Sequence, residues 1–106
     1  LQIEHIDAVN NIESIVRVAG VDALMIGPYD LSGTMGKLGQ VNHPEVEQAM
    51  ETVRKACAAV GMKLGIFAAS AEGMKPYIAK GYSLPIAGMD LMLLAAAARA
   101  MVRALK

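Results

Sequence analysis

The chain has 106 residues and equal numbers of acidic and basic side chains, for a formal net charge of +0. That length allows one domain at most, and the even balance provides no basic footprint for nucleic acid or an anionic membrane surface. With 55% hydrophobic residues and a mean hydropathy of +0.40, it must either bury an unusual share of itself or hide apolar surface in a partner.

Its first apolar run, "LQIEH", reads as a strand over residues 1–5. Alternation puts Gln2 and Glu4 on one face and Ile3 on the other, and turns His5 away from Glu4. Asp7 then caps a helix through about Val18, with Val9, Ile12, Ile15 and Val16 as its apolar side and Gly20 just past its end. "VDALMI" is a short apolar run stopped by Gly27-Pro28, the pattern of a strand covered on both faces. A loop with Gly33, Gly36 and Gly39 follows. Pro44 opens a long helix with Glu45 and Glu47 in its first turn. Val46, Ala49, Met50, Val53, Cys57 and Val60 fall at spacings of three and four along it, and Gly61 ends it. "MKLGIF" is a third strand, and Ser70 caps a third helix to about Lys80. "SLPIAG" is a fourth strand, and Asp90 caps a last helix with Arg99, Arg103 and Lys106 near its negative end.

Four alternations of strand and helix define a parallel α/β protein, closed either as a doubly wound sheet or as part of a (β/α)₈ barrel. A whole barrel needs roughly 250 residues, so this chain would form about half of one. Pro76 inside the third helix predicts a kink or a late start, and Pro85 sits in a strand where a paired N–H is normally needed. No apolar stretch reaches the ~20 residues that cross a bilayer, because "LMLLAAAARAMV" is interrupted by Arg99. No basic-then-apolar leader is visible at the N-terminus. Cys57 is the only cysteine, so it reads as a small core residue rather than a reactive thiol, and the expected setting is a reducing cytoplasm.

In parallel α/β folds, ligands bind beyond the carboxyl ends of the strands. Glu4 lies at the end of the first strand and Asp30 just past the second, one βα repeat apart. Strands side by side are about 4.8 Å apart, so the two carboxylates can converge on one point. Two carboxylates with waters suit Mg²⁺ or Mn²⁺, and without a cation they would repel. On spacing alone a second reading stands beside this one: Glu4 as a solvated strand end and Asp30 as a turn cap in "GPYDLS".

"QIEH", "GVDALMIGPYDLSGTMG", "HPEV", "GIFA" and the "AGMD" turn together resemble the HpcH/HpaI aldolase family, metal-dependent (class II) aldolases acting on 2-oxo acids within the phosphoenolpyruvate/pyruvate-type barrels. The resemblance spans nearly all 106 residues as a single partial barrel domain, and matches strands five to eight of the family's barrel. It implies Glu4 and Asp30 as metal ligands for Mg²⁺ or Mn²⁺, with Co²⁺ a further option. It implies Gln2 hydrogen-bonded to the oxo acid, and the backbone N–H groups of Tyr29 and Asp30 on a pyruvate-like carboxylate. Tyr29 is bulkier than the small residue often found there and would narrow the pocket. The family's catalytic histidine and arginine lie on earlier strands, so the resemblance places no catalytic residue in this chain, and neither His5 nor His43 matches that histidine by position. The Gly33–Gly36–Gly39 segment lacks the Gly-Lys-Ser/Thr ending of a phosphate cradle and reads as a flexible active-site loop.

The expected parent activity is reversible cleavage of a 2-oxo-4-hydroxy acid to pyruvate, or a close analogue, and an aldehyde, with this chain carrying the metal and oxo-acid half of the site. The rivals are an inactive truncated half barrel, a small metal- or oxo-acid-binding module that self-associates, and a doubly wound domain with an incidental likeness. The open strand edges and the all-round apolar last helix predict a homo-oligomer.

Overall fold

The four apolar runs pair into one sheet. The computed structural model describes residues 1–106 and contains strands β1 (Gln2–Ile3), β2 (Ala23–Ile26), β3 (Lys63–Ala68) and β4 (Leu84–Ala87). All neighbours are parallel and lie in the order β1-β2-β3-β4. Each strand is laid beside its predecessor with no reversal of direction across the sheet. That is the winding of a (β/α)₈ barrel, and no switch point of a doubly wound sheet is present.

Register separates the two faces. Ile3, Ile26 and Ile66 stand in one row across the sheet and are at most 2% exposed. With Leu24 and Leu64 they form the sheet side of a single core, whose helix side comes from Val9, Ile12, Val16, Val46, Met50, Val53, Cys57 and Met74. The next row, Gln2, Met25, Gly65 and Leu84, points the other way, and no helix covers it: Leu84 is 47% exposed. Within these 106 residues β2 is covered on one face only, where the sequence predicts cover on both. Leu24 and Ile26 are buried, while Ala23 and Met25 are only half-buried.

The helices are α1 (Ile6–Asn10), α2 (Ile12–Ile15), α3 (Pro28–Thr34), α4 (Pro44–Val60), α5 (Ala71–Ala79) and α6 (Asp90–Ala104). The first strand is shorter than its sequence suggests. It stops at Ile3, and His5 leaves the strand to cap α1, its Nδ1 accepting the Asp7 N–H at 3.1 Å. Asp7 is thus inside the first turn, not the cap. The helix expected through Val18 breaks at Asn11 into two short pieces. In α4 the pattern holds: Pro44 takes the first position, His43 caps, Gly61 adopts φ 70° at the C-terminal end, and Cys57 is buried. Val60, at its last position, is exposed instead. The Ser70 hydroxyl accepts the Gly73 N–H at 3.1 Å, and α5 starts there and runs on through Pro76. Met89, not Asp90, precedes α6, and Asp90 instead accepts the Leu91 N–H at 2.7 Å.

Pro85 has a place in this topology. The Gly88 N–H donates to the Ala68 carbonyl. Donors alternate along a strand, so Pro85 turns its missing donor toward the open edge of β4, where nothing on this chain pairs.

Candidate functional site

The carboxyl ends of β1 and β2 bring two of the predicted residues, Gln2 and Glu4, together at Gly27. The Gly27 N–H donates to the Ile3 carbonyl at 3.0 Å, the last rung of that ladder. A Cβ placed on Gly27 would lie 2.7 Å from Gln2 Nε2, 3.3 Å from Glu4 Cβ and 3.4 Å from Glu4 Oε2. The amide of Gln2 and the carboxylate of Glu4 therefore hang over the same backbone patch, which is open only because residue 27 has no side chain. Ile3, between them, turns into the core.

Asp30 arrives differently from the sequence expectation. The stretch read as a turn and loop is the helix α3, with Gly27 before it, Pro28 first and Asp30 in its first turn. The Leu31 N–H bonds the Gly27 carbonyl at 3.0 Å. The preceding N–H groups, those of Tyr29 and Asp30, are first-turn donors with no carbonyl a turn behind them inside the helix. Tyr29 is 58% exposed, and its ring lies against Gly39.

Two hydroxyls tie this helix to its surroundings, and neither had a signal in the local sequence. The buried Ser32 hydroxyl donates to the Tyr29 carbonyl and accepts the Gly39 N–H at 2.9 Å. The glycine segment is thereby fastened to α3, and Gly33 lies inside that helix rather than in the loop expected. Lys37 reinforces it through a 3.0 Å ion pair with Glu45, whose hydrogen bond holds that carboxyl below the usual carboxylate range. Thr34 accepts the Ile6 N–H at 3.1 Å and donates to the Leu31 carbonyl at 2.9 Å.

The two histidines sit at helix starts. Each spends Nδ1 as a helix cap, His5 toward Asp7 and His43 toward Glu45. Gln2, Glu4 and Asp30 are all exposed, so the site is an open shelf rather than a pocket. A cavity of about 230 Å³ against Pro28, Phe67 and Tyr77 includes none of the three. No group of three or more histidine, cysteine or acidic side chains gathers anywhere in the chain.

The family model of HpcH/HpaI aldolase/citrate lyase matches residues 1–97. The chain is 36% identical to 2-dehydro-3,6-dideoxy-6-sulfogluconate aldolase of Pseudomonas putida, over all of this chain and 42% of that protein. It is 40% identical to 4-hydroxy-2-oxo-heptane-1,7-dioate aldolase of Salmonella paratyphi B, over 95% of this chain and 38% of that protein. A crystal structure of an HpcH/HpaI aldolase/citrate lyase family protein from Burkholderia cenocepacia superposes with a TM-score of 0.93 at 36% identity, covering 98% of this chain and 40% of that one. The chain thus spans about two fifths of the length of the relatives it matches. The motifs, the sequential parallel strands and these matches agree: the chain belongs to the HpcH/HpaI aldolase/citrate lyase family.

Proposed function

We propose that this chain carries the metal and oxo-acid half of an aldolase site, which in the complete enzyme cleaves a 2-oxo-4-hydroxy acid to pyruvate, or a close analogue, and an aldehyde. The observation that supports this most is the convergence of Gln2 and Glu4 over Gly27 at neighbouring strand ends, with Asp30 in the following turn. The donor set suits a hard divalent ion. Carboxylate oxygens from Glu4 and Asp30 leave the remaining positions to water and substrate oxygens, as Mg²⁺ and Mn²⁺ prefer, and Co²⁺ also accepts such a set. When bound, the ion would act as a Lewis acid on the keto oxygen of the substrate.

The chain's own residues have separate tasks. Glu4 and Asp30 hold the ion. Gln2 donates an amide hydrogen bond to the oxo acid. The first-turn N–H groups of Tyr29 and Asp30 point donors at its carboxylate. The Gly36–Gly39 segment, fastened by Ser32, borders Tyr29 and limits what fits beside the acid. One related protein is a hydroxypyruvate/pyruvate aldolase of Cupriavidus necator, a substrate class this donor arrangement suits. His5 and His43 are engaged as caps, which favours a second reading for the isolated chain: it binds metal and oxo acid but turns over little. Proton transfer and oxyanion stabilisation each contribute factors of about 10² or more, and this chain has no residue placed for either.

The test joins binding to turnover. Mn²⁺ titration of the chain, followed by its paramagnetic resonance signal, should show one site. Glu4→Gln and Asp30→Asn should each weaken it by about tenfold or more, the order by which even supporting residues of metal sites count. Pyruvate release from a 4-hydroxy-2-oxo acid should stay near background. Unchanged Mn²⁺ binding in both variants would overturn the site, and turnover at ordinary enzyme rates would overturn the division of labour.

A further inference from the structure

We propose that Thr34 is a positioning residue that sets the spacing between the segments bearing Glu4 and Asp30. The proposal rests on reading those carboxylates as the ligands of one ion. Two cross-links close a small frame between the segments. At one end the Gly27 N–H donates to the Ile3 carbonyl at 3.0 Å. At the other the Ile6 N–H donates to Thr34 Oγ1 at 3.1 Å. Glu4 lies on the stretch between Ile3 and Ile6, and Asp30 on the stretch between Gly27 and Thr34, so each carboxylate is carried on one side of the same closed frame.

The first cross-link belongs to the sheet and would form in any parallel pair. The second is the only hydrogen bond joining the start of α1 to α3, and it spans 28 residues of sequence. Thr34 also donates its hydroxyl hydrogen to the Leu31 carbonyl at 2.9 Å. That bond fixes the rotor so that a lone pair faces the Ile6 N–H. The hydroxyl is thus oriented from the turn that carries Asp30 and spent on the segment that carries Glu4. Without it, the Glu4–His5 stretch leaves the sheet at Ile3 with no tie to α3. The carboxylate pair then has to order itself when the ion binds, and that ordering is subtracted from affinity.

The test uses Mn²⁺ alone as the probe on the full 106-residue chain. Thr34→Val keeps the shape and removes the hydroxyl, while Thr34→Ser keeps the hydroxyl. The dissociation constant for Mn²⁺ should rise about threefold to tenfold in Thr34→Val, the range one such bond commands, and stay within about twofold of the parent in Thr34→Ser. Amide exchange at Ile6 should speed up in Thr34→Val and not in Thr34→Ser. A residue important only for folding would lower the unfolding midpoint and leave the Mn²⁺ affinity of the folded protein unchanged. That result, or failure of Thr34→Ser to retain affinity, overturns the proposal. If Thr34→Val does not fold, Thr34→Ala is read against Thr34→Ser in the same way. Glu4→Gln and Asp30→Asn run alongside. If they weaken binding and Thr34→Val does not, only the positioning role falls. If they too leave binding unchanged, the site itself falls and takes this role with it.

Discussion

Gly27 is a glycine for space, not for backbone freedom. Its φ of −99° is open to any residue, but a methyl there would meet the Gln2 amide at 2.7 Å. The amide is the far end of a flexible side chain and can swing aside at little cost, whereas Glu4 Cβ at 3.3 Å cannot move without its backbone. Gly27→Ala is therefore expected to fold with a midpoint within a few degrees of the parent, a shift of about 1 kcal/mol in a domain this size, while losing most of its Mn²⁺ affinity. Parent-like affinity in this variant would show that Gln2 and Glu4 do not share a ligand over this patch. Strand alternation alone made the common face of Gln2 and Glu4 legible. His5 was misread because a cap and a strand end look alike in one residue. Thr34 left no trace, since a hydroxyl that reaches an amide 28 positions away has no periodicity to betray it.

Among the elements, the bounds of α4 were legible and those of α3 were not, and length is the physical difference. Seventeen residues give an apolar stripe several turns to repeat, with Pro44 and Gly61 as stops. Seven residues are barely two turns, and their opening, Gly-Pro-Tyr-Asp, satisfies a turn as well as a helix start. The junction after α5 offers a pH test. Tyr82 packs edge-on against Tyr77, ring centres 5.4 Å apart at 76°. Burial, with help from Tyr77, pushes its phenol up to about 12. A group whose folded pKa is raised contributes stability that is complete below its unfolded value, about 10, and is lost as pH climbs toward 12. Urea unfolding from pH 8 to 11.5 should show the parent losing stability more steeply above pH 10 than Tyr82→Phe. Parallel curves would mean that Tyr82 ionises as freely folded as unfolded. Cys57, buried in α4 with its thiol likewise pushed up by burial, agrees with its reading as a core residue.

At the scale of the whole molecule, the chain is longer and thinner than its size requires. Its radius of gyration is 16.0 Å, against about 13 Å for a compact domain of 100 residues. The helix α6 buries none of its residues, and Leu91, Leu93, Leu94 and Met101 are each more than 60% exposed. The inner sheet face adds Leu84 and Ile86, both over 40% exposed. Surface of this kind seldom stays in water on a monomer, so light scattering on the purified chain should report a dimer or larger. A folded, monodisperse species of 11.2 kDa would be the contrary result. The barrel winding was legible because four strand–helix alternations have few closures. What covers the inner face was not, because an apolar row in a strand looks the same whichever layer it awaits. The order of the strands carries a consequence for how such a chain is made. Neighbours in space are neighbours in synthesis, so each new strand emerging from the ribosome finds its partner already in place. The arc can be laid down one unit at a time, and the single pairing that synthesis order cannot deliver is the seam at which the last edge finds a first.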